Sequence, residues 1–211
     1  YFTTYGIDTG RVLHTPVLNI EELKFDLINQ LENIDKKDKV IVIIDSIGNI
    51  ASKKELEDAM NEKSVADMSR AKQLKSLFRM TTPYLTMKDI PCVAINHTYK
   101  EQGLFPKDIV SGGTGVYYSA DNIWIIGRQQ DKVGTEIKGY HFVINVEKSR
   151  FVKEKSKLPI SVSWEGGVQR WSGLLDVALD GGYVAKPSNG WYCRVDRSSG
   201  ELMDPKSRER D

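Results

Sequence analysis

Apolar positions follow two periods that alternate along the chain. Asn19 with Glu22 three residues on predicts a capped helix start, and Leu23, Leu27, Leu31 and Ile34 then recur every three or four residues on one face. Before it, Val12-Leu13-His14-Thr15 predicts a short strand ended by Pro16. After the charged turn 35–39, Val40-Ile41-Val42-Ile43-Ile44 is an unbroken and mostly β-branched run, the pattern of a strand buried on both faces of a parallel sheet. A second helix is predicted over 65–80, with Val65, Met68, Leu74 and Phe78 on its apolar side and Thr81-Thr82-Pro83 as its stop. Cys92-Val93-Ala94-Ile95 and Ile123-Trp124-Ile125-Ile126 predict further buried strands. Residues 140–146 and 160–164 predict longer ones joined by a basic connection. A helix near 173–179 and the turn-rich Lys186-Pro187-Ser188-Asn189-Gly190 follow. The repeated strand–helix–strand order predicts an α/β fold with a mostly parallel central sheet flanked by helices.

At 211 residues the chain can bury one sizeable core and a small appendage. Lys and Arg number 30 against 29 Asp and Glu, which excludes a charge-driven nucleic-acid tail but leaves room for a local basic groove. The apolar runs are too short for a membrane span. Two cysteines, Cys92 and Cys193, exclude a disulfide scaffold and fit a reducing compartment. The chain opens on Tyr1 and closes in Ser207-Arg208-Glu209-Arg210-Asp211, which reads as a piece of a longer protein.

The strand ends hold the candidate chemistry, because ligands of open α/β sheets bind beyond the carboxyl ends of the strands. The first buried strand runs into Asp45-Ser46. Carboxylate oxygen there suits a water-bound Mg²⁺ beside phosphates, and equally suits a turn or a helix cap. Another strand ends in Asn96-His97, polar residues that fit a ligand or merely satisfy loop backbone. Residues 98–115 lack periodicity and predict a long loop in which Tyr99, Lys100, Phe105 and Lys107 mix cations with rings, as single-stranded nucleic acid requires. Ser111-Gly112-Gly113-Thr114-Gly115 closes that loop and reads as a hinge. Lys148 and Arg150, two apart at a strand end, point the same way and suit one anionic ligand, or else a solvated connection with Lys153, Lys155 and Lys157.

In this order the motifs resemble the RecA-type recombinases, in the branch found in T-even-type bacteriophages. The resemblance rests on Gly6-Ile7-Asp8, on 42–49 as the Walker B strand, and on 51–55 with 61–63 as the first DNA-binding loop region. It continues through 95–99 leading into the second DNA-binding loop, Gly112 to Gly115 closing it, 146–150, and 172–176. It implies a RecA-like ATPase core over 1–171 and the start of a C-terminal domain over 172–211. It implies ATP and Mg²⁺ as cofactors: Tyr1 stacking on adenine, Asp45 as the Walker B carboxylate with Ser46 beside it, and Asn96 and His97 sensing γ-phosphate. Lys148 and Arg150 would reach a neighbouring subunit's ATP. Bacterial relatives carry Gln where His97 stands and Lys where Arg150 stands. Lys53, Lys54, Lys63, Tyr99, Lys100, Phe105, Lys107, Gly112 and Gly113 fall in the DNA-binding regions.

The implied partners are single- and double-stranded DNA, further copies of the chain in a filament, and phage single-stranded-DNA-binding and mediator proteins, within the host cytoplasm and away from membranes. The family's Gly-x-x-x-x-Gly-Lys-Ser/Thr phosphate loop does not occur in this sequence. The intact protein is therefore expected to be a DNA-dependent ATPase acting in recombination, repair and replication, and this piece alone to be inactive. A hexameric helicase on the same core, or a catalytically silent fragment that binds DNA or a subunit, are the competing expectations.

Overall fold

In the computed structural model, residues 2–3, 6–62, 69–133 and 136–208 are described. The chain forms two compact units, Tyr1–Ala120 and Asp121–Asp211.

In the first unit a 3₁₀ turn, Thr9–Arg11, is capped by Asp8. The strand expected at 12–15 is not formed: among the described residues the stretch pairs with no strand, and Leu13 is 78% exposed. The Val12 amide closes the preceding 3₁₀ turn on the Thr9 carbonyl, and without a neighbouring strand the run beside Pro16 stays irregular. Helix α1 is Ile20–Asn33, and the Asn19 side chain accepts from the Glu22 amide at its start. The Glu22 carboxylate reaches back to the Leu18 N–H, one residue earlier than a capping box predicts.

Strands β1 (Val42–Ile44) and β2 (Cys92–Ala94) pair in parallel, Ile43 opposite Val93. Helices α2 (Lys53–Met60) and α3 (Ser69–Lys88) lie between them in the chain. Ser52 and Glu55 form a complete capping box at the start of α2. Leu23, Leu27 and Leu31 of α1, Ile44 and Ile47, and Leu74 and Leu77 of α3 meet in one core. Burial of β1 on both faces does not hold. Side chains alternate along a strand, so Ile44 enters the core while Ile43 and Val93 stay 63% and 49% exposed.

The stop expected at Thr81-Thr82-Pro83 is also overturned, since α3 runs through Pro83 to Lys88. Thr81 is buried and donates to the Leu77 carbonyl. Lys88 Nζ donates to the carbonyls of Leu31, Glu32 and Ile34 at the end of α1. These anchors outweigh the one helical bond a proline removes. Of the expected apolar side, Val65 and Met68 lie outside the described residues, Leu74 is buried and Phe78 half-buried.

The stretch 98–115 is not a loop throughout. Strands β3 (Thr98–Lys100) and β4 (Asp108–Val110) form an antiparallel hairpin, and helix α4 (Thr114–Ser119) follows. Tyr99, Lys100 and Asp108 carry no apolar alternation, so the strands left no trace in the pattern.

In the second unit, β5 (Asn122–Val133), β6 (Glu136–Ser149), β7 (Lys157–Ser163) and β8 (Gly167–Val168) form an antiparallel sheet in chain order. Helix α5 is Leu174–Asp180. Strands β9 (Val184–Ser188), β10 (Trp191–Val195) and β11 (Leu202–Ser207) form a second antiparallel sheet, with β10 central. The turn-rich stretch 186–190 is thus the end of β9 and a tight connection to β10, in which Gly190 takes φ 77°. The α/β class holds. Among the described residues, however, parallel pairing is confined to β1–β2 and an isolated Asn19–Ala51 bridge. The run 123–126 lies within a long strand paired antiparallel with its sequence neighbour β6.

Candidate functional site

Because β1 and β2 run parallel, their carboxyl ends lie side by side, and this brings Asp45-Ser46 and Asn96-His97 together. The backbone pairing continues past both strands: the Ile95 N–H donates to the Ile44 carbonyl and the Ile47 N–H to the Ile95 carbonyl, each at 2.9 Å. Asp45 is exposed and forms no hydrogen bond or ion pair among the described residues. Its oxygens are therefore open to a hydrated hard cation. Ser46 beside it is half-buried.

Asn96, by contrast, is engaged with the protein itself. Its Nδ2 donates to the Ser111 carbonyl at 2.7 Å, while its Oδ1 accepts from the His97 N–H at 2.8 Å. The His97 carbonyl accepts from the Ser111 N–H at 3.0 Å. The pair at the end of β2 thus grips the residue that follows the hairpin. The His97 ring lies against Gly48, where a Cβ would stand 1.8 Å from its Cδ2. Only glycine permits that approach of ring to turn.

The candidate DNA-binding residues divide among three places. Lys53 and Lys54 open α2; the Lys53 amide donates to the Glu21 carboxylate, and its ammonium lies 3.9 Å from Glu57. Tyr99 and Lys100 lie on β3, and Lys100 pairs with Asp108 across the hairpin at 2.8 Å. Phe105, at the tip, is 89% exposed beside an equally bare Leu104, and Lys107 is exposed. Of Gly112 and Gly113, read from sequence as a hinge, Gly112 also has a packing role. Both take positive φ, and a Cβ on Gly112 would stand 2.8 Å from Leu74 Cδ1. A Cβ on Gly115 would stand 2.7 Å from Lys75 Cβ, so glycine lets α4 lie directly on α3. Tyr1 and Lys63 lie outside the described residues.

Lys148 and Arg150 belong to the second unit. Lys148 is half-buried on β6, opposite Ile123. Arg150 stands just past the strand, where alternation no longer fixes its direction. Its Nε lies 3.1 Å from an Asp121 carboxylate oxygen, and its amide donates to the Asp121 carbonyl. The shared strand side expected of the two cations therefore does not apply to Arg150.

The sequence reading passed over Arg70. This half-buried residue in the first turn of α3 donates from Nη2 to the carbonyls of Ile47 and Gly48, at 2.7 and 2.9 Å, and from Nε to that of Ile50 at 3.0 Å. A cation at a helix start looks like a solvated surface residue, and no motif marks it. Gly48 carried a signal, a glycine in the turn directly after Asp45-Ser46-Ile47. Among the described residues no cluster of His, Cys, Asp and Glu is arranged to hold a metal unaided.

Residues 171–211 match the family described as the C-terminal domain of the bacteriophage T4 recombination and repair protein. The chain is 56% identical to the recombination and repair protein of Enterobacteria phage T4 over 205 residues, covering 96% of this chain and 52% of that protein. The chain is thus similar to a phage recombination and repair protein and, more distantly, to RecA proteins. Protein RecA of Tropheryma whipplei is 26% identical over 76% of this chain and 37% of its own length. Protein RecA of Bacteroides thetaiotaomicron is 24% identical over 78% and 50%. The solved structure of the RadB recombinase overlays with a TM-score of 0.49 at 17% identity, covering 79% of this chain and 69% of that one, too loosely to add weight. The chain spans about half the length of the curated relatives it matches. Among the described residues no helix is long and apolar enough to cross a membrane.

Proposed function

We propose that this chain is the part of an ATP-dependent DNA recombinase that holds one side of the nucleotide site and the DNA-facing hairpin. The intact protein coats single-stranded DNA as a filament and pairs it with a homologous duplex, in recombination, repair and replication. The observation that carries this reading is the 56% identity to the T4 recombination and repair protein over nearly the whole chain.

In this reading Asp45 holds Mg²⁺ through water, Ser46 assists, and Tyr1 stacks on adenine. ATP with its Mg²⁺ supplies the phosphoryl group to be transferred. Asn96 and His97 meet the γ-phosphate side, and Lys148 and Arg150 serve the ATP of the adjacent subunit, in the manner of an arginine finger. Phosphate loops supply most phosphate contacts through backbone amides and a lysine. None occurs in this sequence, so the chain by itself hydrolyses ATP negligibly. The exposed Phe105, with Tyr99, Lys100 and Lys107, fits stacking on bases and contact with phosphates. Lys53, Lys54, Lys63, Gly112 and Gly113 complete the DNA-binding set. Residues 172–211 begin a C-terminal domain, a division supported by the family match over 171–211. The site of action is the host cytoplasm, with phage single-stranded-DNA-binding and mediator proteins as partners.

Electron microscopy of the intact protein with single-stranded DNA and a non-hydrolysable ATP analogue tests the proposal. Helical filaments on the DNA are expected. Closed rings would favour a helicase, protein on the DNA without helical order would favour a module that only binds, and bare DNA would contradict the proposal.

A further inference from the structure

Three segments of the first unit converge on one side chain. The turn after Asp45 presents the carbonyls of Ile47, Gly48 and Ile50 to Arg70, and three of its five N–H donors are spent there. A further donor, on Nη1, lies 3.5 Å from Ser111 Oγ, the outer limit of a hydrogen bond. Ser111 is in turn held through its backbone: its carbonyl accepts from Asn96 Nδ2 and its N–H donates to the His97 carbonyl. From Ser111 the chain leads back into β4 of the hairpin and forward into Gly112 and α4. The same turn carries Gly48, against which the His97 ring lies.

We propose that Arg70 is a positioning residue that ties the turn after Asp45 to the base of the β3–β4 hairpin, so that a ligand at one end alters the set of the other. This rests on the reading above, in which nucleotide binds beside Asp45 and single-stranded DNA binds the hairpin. The chemistry suits a guanidinium and no other side chain. Its planar fork holds three carbonyls of one turn in fixed directions and still reaches sideways, whereas an ammonium offers its donors from a single atom. A shift of Asn96 or His97 toward a phosphate pulls on Ser111 through two short bonds. The turn cannot relax independently, because Arg70 holds it to the start of α3. No longer path is needed.

The coupling is the ratio of single-stranded DNA affinities with and without bound nucleotide, and linkage requires the same factor in the reverse direction. In the full-length protein, fluorescence anisotropy of labelled oligo(dT) would be measured with and without adenosine 5′-(β,γ-imido)triphosphate. The comparison is wild type against Arg70→Lys and Ser111→Ala, with thermal melting as the check on folding. Arg70→Lys keeps the charge and loses the fork. It should lower the ratio about fivefold or more while nucleotide-free DNA affinity stays within about twofold. Ser111→Ala removes only the hydroxyl and should lower the ratio in the same direction by a smaller factor. It decides the matter if Arg70→Lys does not fold. A merely structural or directly DNA-binding Arg70 would weaken both affinities together and leave the ratio unchanged, which overturns the proposal. A wild type whose DNA affinity ignores the nucleotide would instead overturn the functional reading beneath it, and the proposal with it.

Discussion

Replacing Gly112 by alanine should destabilise the first unit by far more than a surface glycine change, for two separable reasons. Its φ is 95°, a conformation costing an L-residue ~1–2 kcal/mol. The new methyl would also stand 2.8 Å from Leu74 Cδ1 and 3.0 Å from Val116 Cγ2. Leu74 is fully buried and Val116 nearly so, so neither can swing into solvent, and overpacking of this kind costs about 1–3 kcal/mol. The sum is about 2–5 kcal/mol against a typical domain stability of about 5–15 kcal/mol. Two controls separate the causes. Gly113→Ala shares the positive φ, 78°, but its methyl would sit 3.5 Å from Ala71 Cβ, an ordinary contact, so only the backbone penalty applies. Gly103→Ala meets nothing within 4 Å and should be near neutral. All four tryptophans lie in the second unit, so urea unfolding followed by far-UV circular dichroism reports α1 and α3, with tryptophan fluorescence as the internal reference. At ~2 kcal/mol per molar urea the Gly112→Ala midpoint should fall by about 1–2.5 M. A Gly112→Ala midpoint equal to that of Gly103→Ala, or a Gly113→Ala loss as large as that of Gly112→Ala, would refute the packing argument.

Three further outcomes are expected. With His97 on the γ-phosphate side, His97→Ala should lower nucleotide–DNA coupling; Gly48→Ala forces the exposed His97 ring off the turn, so it should do the same with under ~1 kcal/mol of destabilisation, and the double mutant should add little; additive losses would place the two apart. Burial raises the Cys92 thiol above its ordinary pKa. Its contribution to stability should be intact below the ordinary thiol range and decline as pH rises through the raised value, with alkylation by iodoacetamide correspondingly delayed; alkylation following an ordinary thiol's pH profile would contradict this. In the intact protein, Asp45→Asn and Arg150→Ala subunits, each with impaired ATPase, should recover activity when mixed, since some interfaces then carry both intact halves. No recovery at any ratio would place both groups in one subunit.

The legible parts of the fold were those with strong periodicity. Asn19 and the leucines of α1 announced the first helix, and the aliphatic runs announced β1 and β2. The hairpin arms 140–146 and 160–164 were visible because their apolar residues outrun a helix-like spacing. Pro83 misled because its local penalty is offset by Thr81 and Lys88, contacts made across the fold. The β3–β4 hairpin was silent because β3 is exposed and needs no apolar alternation, and the half-buried Ile109 and Val110 of β4 are too short a run to announce a strand. Asp45 and Asn96 were legible as polar residues ending aliphatic runs, and the parallel pairing brings them together. Arg70 was not, since its value lies in backbone carbonyls that no sequence pattern displays. For Arg150, the ion pair with Asp121 was equally invisible, since two exposed charges far apart in sequence give no sign of meeting.

The central claim is that the intact protein pairs homologous DNA at the expense of ATP. The measurement that tests it most directly is a joint-molecule assay, in which labelled single-stranded DNA, the protein, Mg²⁺ and ATP are combined with a homologous or an unrelated duplex. Joint molecules are expected only with the homologous duplex, only when ATP is present, and at a much reduced yield with Asp45→Asn. Protein-bound DNA that never enters a duplex, or joint molecules formed equally well without ATP, would contradict it.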